Sequence, residues 1–170
     1  MGRIILVTGG ARSGKSVWAE ARMRDLAGPP VYIATAEARD GEMEGRIAAH
    51  IARRGPEWST VEEPRDLAGA LQRTDGAGAR LVDCLTLWLT NEMLADGGDW
   101  EAALEGLVEV LKGQAAPVVL VTNEVGSGIV PANALSRAFQ DAAGTVNQAV
   151  GAIADEVVLV VAGQPLRIKG

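Results

Sequence analysis

Eight consecutive residues near the amino terminus, Gly9-Gly10-Ala11-Arg12-Ser13-Gly14-Lys15-Ser16, have the types and spacing that hold a chain of phosphates. They fit the pattern G-x-x-x-x-G-K-[ST]. Glycines let the backbone curl so that successive N–H groups point at one anion, and a helix starting there adds its N-terminus. Lys15 can reach the outer phosphates, and the Ser16 hydroxyl can hold a magnesium ion that bridges them. The pattern therefore predicts a nucleoside triphosphate as ligand. It has this meaning only between a strand and a helix, and the apolar run Ile4-Ile5-Leu6-Val7 before it supplies the strand.

A second group surrounds His50, the only histidine. On a helix, Arg46, Arg53 and Arg54 stand three or four residues away and share its side. A lone helical histidine can simply be packed or solvated. Three guanidiniums around one imidazole also suit capture of phosphate, and their charge favours the neutral ring that can attack phosphorus. From these residues alone both readings stay open. Asp83 closes an apolar run, from where a carboxylate can reach magnesium or cap the helix that follows at Thr86. Asp75-Gly76-Ala77-Gly78 has the short D-x-x-G form of regulatory GTPases but precedes a strand instead of following one.

These groups need a frame to bring them together. Residues 4–8, 31–35, 58–62, 79–84, 117–122 and 156–161 read as strands, and 166–169 as an antiparallel edge strand. The first helix carries Val17, Trp18, Ala21 and Leu26 as its apolar residues and stops at Gly28-Pro29-Pro30. Residues 42–54 form a helix with Met43, Ile47 and Ile51 in a stripe. Pro64 suits a first helical turn ahead of Leu67, Ala70 and Leu71. Helices over 86–95, 100–112 and 132–154 follow, the last with a break near Gly144. The alternation predicts an α/β fold of three layers with a mostly parallel sheet, in a single domain spanning residues 1–170. Ligands then gather beyond the carboxyl ends of the strands, at Thr35-Ala36-Glu37, Glu62-Glu63, Asp83 and Asn123-Glu124.

A net charge of −6 argues against a nucleic-acid binder that relies on a broad basic surface. One cysteine, Cys84, permits no internal disulfide and reads as a small core residue. No stretch is apolar enough to span a bilayer and no leader is visible, so a cytoplasmic enzyme is the expectation.

With these residues in view, the chain resembles the bifunctional adenosylcobinamide kinase / adenosylcobinamide-phosphate guanylyltransferase family of cobalamin biosynthesis. The strings that carry the likeness run in order. They are Ile5 to Ser16, Tyr32-Ile33-Ala34-Thr35, Glu42-Met43 with Arg46-Ile47 and His50, and Asp83-Cys84-Leu85-Thr86 with Trp88 and Thr90-Asn91. Val119 to Gly126 with Gly128-Ile129-Val130-Pro131, then Ala143-Gly144 with Val146-Asn147-Gln148, and Ile168-Lys169 complete it.

The resemblance implies a RecA-like P-loop NTPase sheet, a homotrimer, and two reactions. A triphosphate, ATP or GTP, phosphorylates the hydroxyl of adenosylcobinamide. GTP then guanylylates a histidine, which passes GMP to the corrinoid phosphate. His50 falls at that histidine, and Lys15 belongs to the catalytic set. The likeness further implies nucleotide contacts throughout Gly9 to Ser16, at Ala34, Thr35, Ala36 and Glu37, at Ile51, Ala52, Arg53 and Arg54, and at Glu62 and Asp83. Magnesium falls to Ser16 and Asp83. Some relatives have a second histidine where this chain has Ala49, and some have Glu where it has Asp83. Two rival readings are a kinase without a covalent intermediate and a GTP-sensing module. The absence of an Asn-Lys-x-Asp segment weighs against the sensor.

Overall fold

Alternate residues of β1 (Ile4–Thr8) feed two hydrophobic cores, one on each face of the sheet. Ile4 and Leu6 enter one core, and Ile5 and Val7 the other. The computed structural model describes residues 2–37 and 54–170. It buries β1 along its whole length, as a continuous apolar run in a covered parallel sheet requires. The chain continues through α1 (Lys15–Met23), β2 (Val31–Ala34), β3 (Ser59–Glu62), α2 (Leu67–Thr74) and β4 (Arg80–Asp83). Then come α3 (Leu85–Leu94), α4 (Trp100–Lys112), β5 (Val118–Val121), α5 (Ala134–Ile153), β6 (Glu156–Val161) and β7 (Gln164–Lys169).

The seven strands form one sheet in the order β3-β2-β4-β5-β1-β6-β7. All neighbours are parallel except β6 and β7, which form the expected antiparallel edge. Helices α2 to α5 cover one face through Leu71, Trp88, Leu107 and Val146, among others. Helix α1 lies on the other face through Ala19 and Met23. The three-layer α/β expectation therefore holds.

The end of the sheet at the amino termini of its strands is fastened by charge. Arg80 is completely buried, and its guanidinium donates to Asp75 at 2.9 Å, to the carbonyl of Ala116 at 3.1 Å and to Gln114. Asp75 also accepts from the backbone N–H groups of Ala115 and Ala116. Partial burial works against its ionisation, but these donors and Arg80 hold its carboxyl below the usual carboxylate range. The D-x-x-G string is thus a clasp between the turn before β4 and the turn before β5.

Three local expectations are corrected. The buried side of α1 is Lys15, Ala19 and Met23, while Val17 and Ala21 are exposed and the helix ends at Met23. Pro64 lies outside α2, whose start is set by Asp66 accepting from the N–H of Gly69. Helix α5 runs through Gly144 unbroken, because Ala142, Ala143, Val146 and Val150 give it a continuous buried stripe. The expected helix over 42–54 lies almost wholly outside the described residues.

Candidate active site

The loop after β1 is shaped by what presses on it. Gly14 adopts φ 96, and a β-carbon there would stand 3.1 Å from the α-carbon of Gly163 in the β6–β7 turn. At Gly9 a β-carbon would meet the carbonyl oxygen of Val160 at 2.5 Å. The N–H of Gly163 donates to the carbonyl of Ser13 at 2.8 Å, which ties the loop to the sheet's antiparallel edge. Helices α2, α4 and α5 are capped by Asp66, Asp99 and Asn133. Helix α1 starts from Gly14 with no side-chain cap, so its first turn offers N–H groups to an anion.

Lys15 is buried, and its ammonium donates to the carbonyl of Gly10 at 2.9 Å, across the loop. Burial lowers its pKa from the ordinary lysine value, while the facing Asp83 carboxylate acts in the opposite sense. A phosphate chain in the loop would add counter-charge to this buried ammonium.

Sheet register lines up the carboxylates. Ala34 pairs with Glu62 on one side and Asp83 on the other. Asp83 in turn pairs with Val121, and Val121 with Val7. Asp83 therefore stands level with the end of β1, two strands or about 10 Å away. Tyr32 donates its hydroxyl to Asp83 at 3.1 Å. Burial, then the Asp83 charge, push the Tyr32 pKa up, so the phenol remains a donor. The cap of α3 is Cys84, not Asp83. Ser16 and Asp83 present oxygen donors, the type a hard ion such as Mg2+ takes, so this chain's own residues fit that ion.

The remaining expected positions divide. Ala36 and Glu37 follow β2 at the same edge, half-buried. Thr35 is fully buried, and its hydroxyl both donates to the carbonyl of Cys84 and accepts from its N–H, each at 2.8 Å. Thr35 thus stitches the end of β2 to the end of β4. Glu62 is exposed, two strands from Asp83. Arg54 lies with its guanidinium carbon 3.3 Å from the Tyr32 ring centre, a cation–π contact. His50, Arg46, Ile51, Ala52 and Arg53 lie outside the described residues.

Burial raises the Cys84 thiol to about 12, which makes it an inert core group. One participant was not singled out from sequence: Tyr32, whose contact with Asp83 depends on β2 and β4 being neighbours. Glu124, one of the expected strand-end positions, accepts from the Thr8 hydroxyl, and its N–H donates to the carbonyl of Gly9 at 3.0 Å. Glu124 follows β5 much as Asp83 ends β4, and that placement was the available signal.

Several known proteins are similar to this chain. Residues 5–168 match the family described as cobinamide kinase / cobinamide phosphate guanyltransferase. The bifunctional adenosylcobalamin biosynthesis protein CobP of Pseudomonas aeruginosa is 48% identical over 97% of this chain and 96% of its own length. The corresponding CobU proteins of Salmonella typhimurium and Escherichia coli are 46% and 42% identical, each over 98% of this chain and 99% of their own. Among solved structures, the P4 protein from bacteriophage phi6 in complex with ADP has a TM-score of 0.50 at 16% identity, covering 96% of this chain and 54% of its own. A prototypical ATPase from the type III secretion system of pathogenic bacteria gives 0.58 at 11% identity, covering 94% and 51%. This chain spans about half of each of those two, and the likeness to them concerns the fold. The match over residues 5–168, joined to full-length relatives, means that the chain belongs to the cobinamide kinase / cobinamide phosphate guanyltransferase family.

Proposed function

We propose that this chain is a transferase with two activities: it phosphorylates adenosylcobinamide using ATP or GTP, then transfers GMP from GTP to the product. Kinship with bifunctional relatives over almost the whole chain carries the reading. In the first reaction the corrinoid hydroxyl attacks the γ-phosphorus. The bond from that phosphorus to the bridging oxygen breaks, and the nucleoside diphosphate leaves. In the second, neutral His50 attacks the α-phosphorus of GTP, a P–N bond forms and pyrophosphate leaves. The corrinoid phosphate then displaces the imidazole, giving adenosylcobinamide-GDP and free His50.

The loop residues Gly9 to Ser16 hold the phosphates, with Lys15 stabilising charge that builds on them. Ala34 to Glu37, Ile51 to Arg54 and Glu62 complete the nucleotide site. Ser16 and Asp83 hold Mg2+, which when bound neutralises phosphate charge. The whole chain acts as one catalytic domain in a homotrimer, in the cytoplasm.

The shared loop is tested by Lys15→Ala. Both activities should fall by about a hundredfold or more in kcat/KM, since both need a held phosphate chain. Circular dichroism and melting should be nearly unchanged. Retention of either activity within a few-fold of wild type contradicts a loop common to both reactions.

A further inference from the structure

Beside the phosphate loop, at the same edge of the sheet, a cavity of about 470 Å3 opens between the carboxyl half of α3, the segment after β5 and the amino half of α5. Met93, Leu94, Val125, Ile129, Leu135 and Phe139 supply its apolar wall. The exposure of these side chains is unusual: Ile129 is 97% exposed and Leu135 60%. None of the lining residues among the described ones is charged. The wall begins at Val125, directly after Glu124, whose N–H and carboxylate are bonded to Gly9 and Thr8. The cavity and the phosphate loop therefore share one segment.

We propose that this cavity is the corrinoid subsite, an inference that rests on the function proposed above. A charge-free wall offers nothing to a triphosphate, which the loop already accommodates. The second substrate has the complementary chemistry. A corrin macrocycle presents a rim of methyl groups and carboxamides, large and mostly uncharged. Its methyls suit the apolar wall, while the Thr90 hydroxyl and the Gln140 amide can meet its carboxamides. The cavity lies in the size range of small-molecule sites, so it takes one sector of the macrocycle and leaves the rest in solvent. From there the hydroxyl-bearing arm is directed along the 123–125 segment toward the loop. Transfer requires this, because reacting atoms must come within contact distance.

The test uses full-length Ile129→Asp and Leu135→Ser, two surface changes that the fold should tolerate. Each is compared with wild type in steady-state kinetics, in equilibrium dialysis against dicyanocobinamide, and by light scattering. The expected result is a rise of about tenfold or more in KM for the corrinoid and a parallel loss of dicyanocobinamide binding. KM for the nucleotide and the molecular mass should stay at wild-type values. Unchanged corrinoid KM in both variants overturns the inference. A KM rise that comes with dissociation of the oligomer also overturns it, in favour of a second copy of the chain as the occupant. Failure of the underlying reading looks different: wild type itself would then phosphorylate no cobinamide.

Discussion

Asp83 is positioned from the neighbouring strand. Tyr32 donates to one of its oxygens, and the Arg54 guanidinium rests on the Tyr32 ring. Trp58 closes the cluster edge-on, its ring centre 6.5 Å from that of Tyr32. Tyr32 is thus a positioning residue for the proposed magnesium ligand. Tyr32→Phe keeps the ring, and with it the stacking of Arg54, but removes the hydrogen bond. The Mg2+ concentration for half-maximal kinase activity should rise several-fold, and nucleotide binding followed by Trp fluorescence should need correspondingly more Mg2+. At saturating Mg2+, turnover should return toward wild type. An unchanged Mg2+ dependence in both measurements would leave the phenol as packing only. At this scale the sequence was partly legible. An acidic residue at the end of an apolar run announces a strand-end carboxylate, and the loop pattern announces Lys15. The Tyr32–Asp83 contact joins residues whose distance along the chain hides their pairing, and only sheet order reveals it.

At the scale of elements, the loop sets the phase of α1. Lys15 must turn inward, so Ala19 and Met23, four and eight residues on, share its buried side. Of the apolar residues that the sequence places on this helix, Val17 and Ala21 lie on the exposed side, while Trp18 and Leu26 pack against the core. β1 and β6 were legible to the residue because their apolar runs are continuous and turn residues follow closely, Gly9 after β1 and Gly163 after β6. The Asp75–Arg80 clasp was not, since its partners come from the turn before β4, the first residue of β4 and the turn before β5. Its removal should be costly. Asp75→Ala leaves the buried Arg80 charge without its counter-ion and should destabilise the fold by about 3 kcal/mol in urea unfolding. The sign with pH follows from the lowered carboxyl. Stability from ionised Asp75 is present above the ordinary carboxylate range and is lost as pH falls through its own lower value. The variant should therefore lose part of the acid sensitivity that wild type shows. Equal stability of variant and wild type near neutral pH would refute the clasp.

Over the whole molecule, work and anchorage occupy opposite edges of one sheet. Charge locks around Arg80 and Glu156 hold the amino ends of β4 and β6. The carboxyl ends carry the phosphate loop, Asp83, Glu124 and the apolar cavity. In the proposed arrangement two substrates of opposite character meet across one short segment, an anionic nucleotide at the loop and a corrinoid beside it. The proposed step that would make the protein more than a kinase is covalent capture of GMP by His50, and intact-mass analysis tests it directly. Wild type incubated with α-labelled GTP and Mg2+ should gain one GMP per chain, lose it in acid as a phosphoramidate does, and pass it to adenosylcobinamide phosphate. Labelling should slow at lower pH as the imidazole protonates. His50→Ala should gain none while still phosphorylating adenosylcobinamide. An acid-labile GMP adduct that persists in His50→Ala, or a wild type that phosphorylates cobinamide but never labels, would contradict the account.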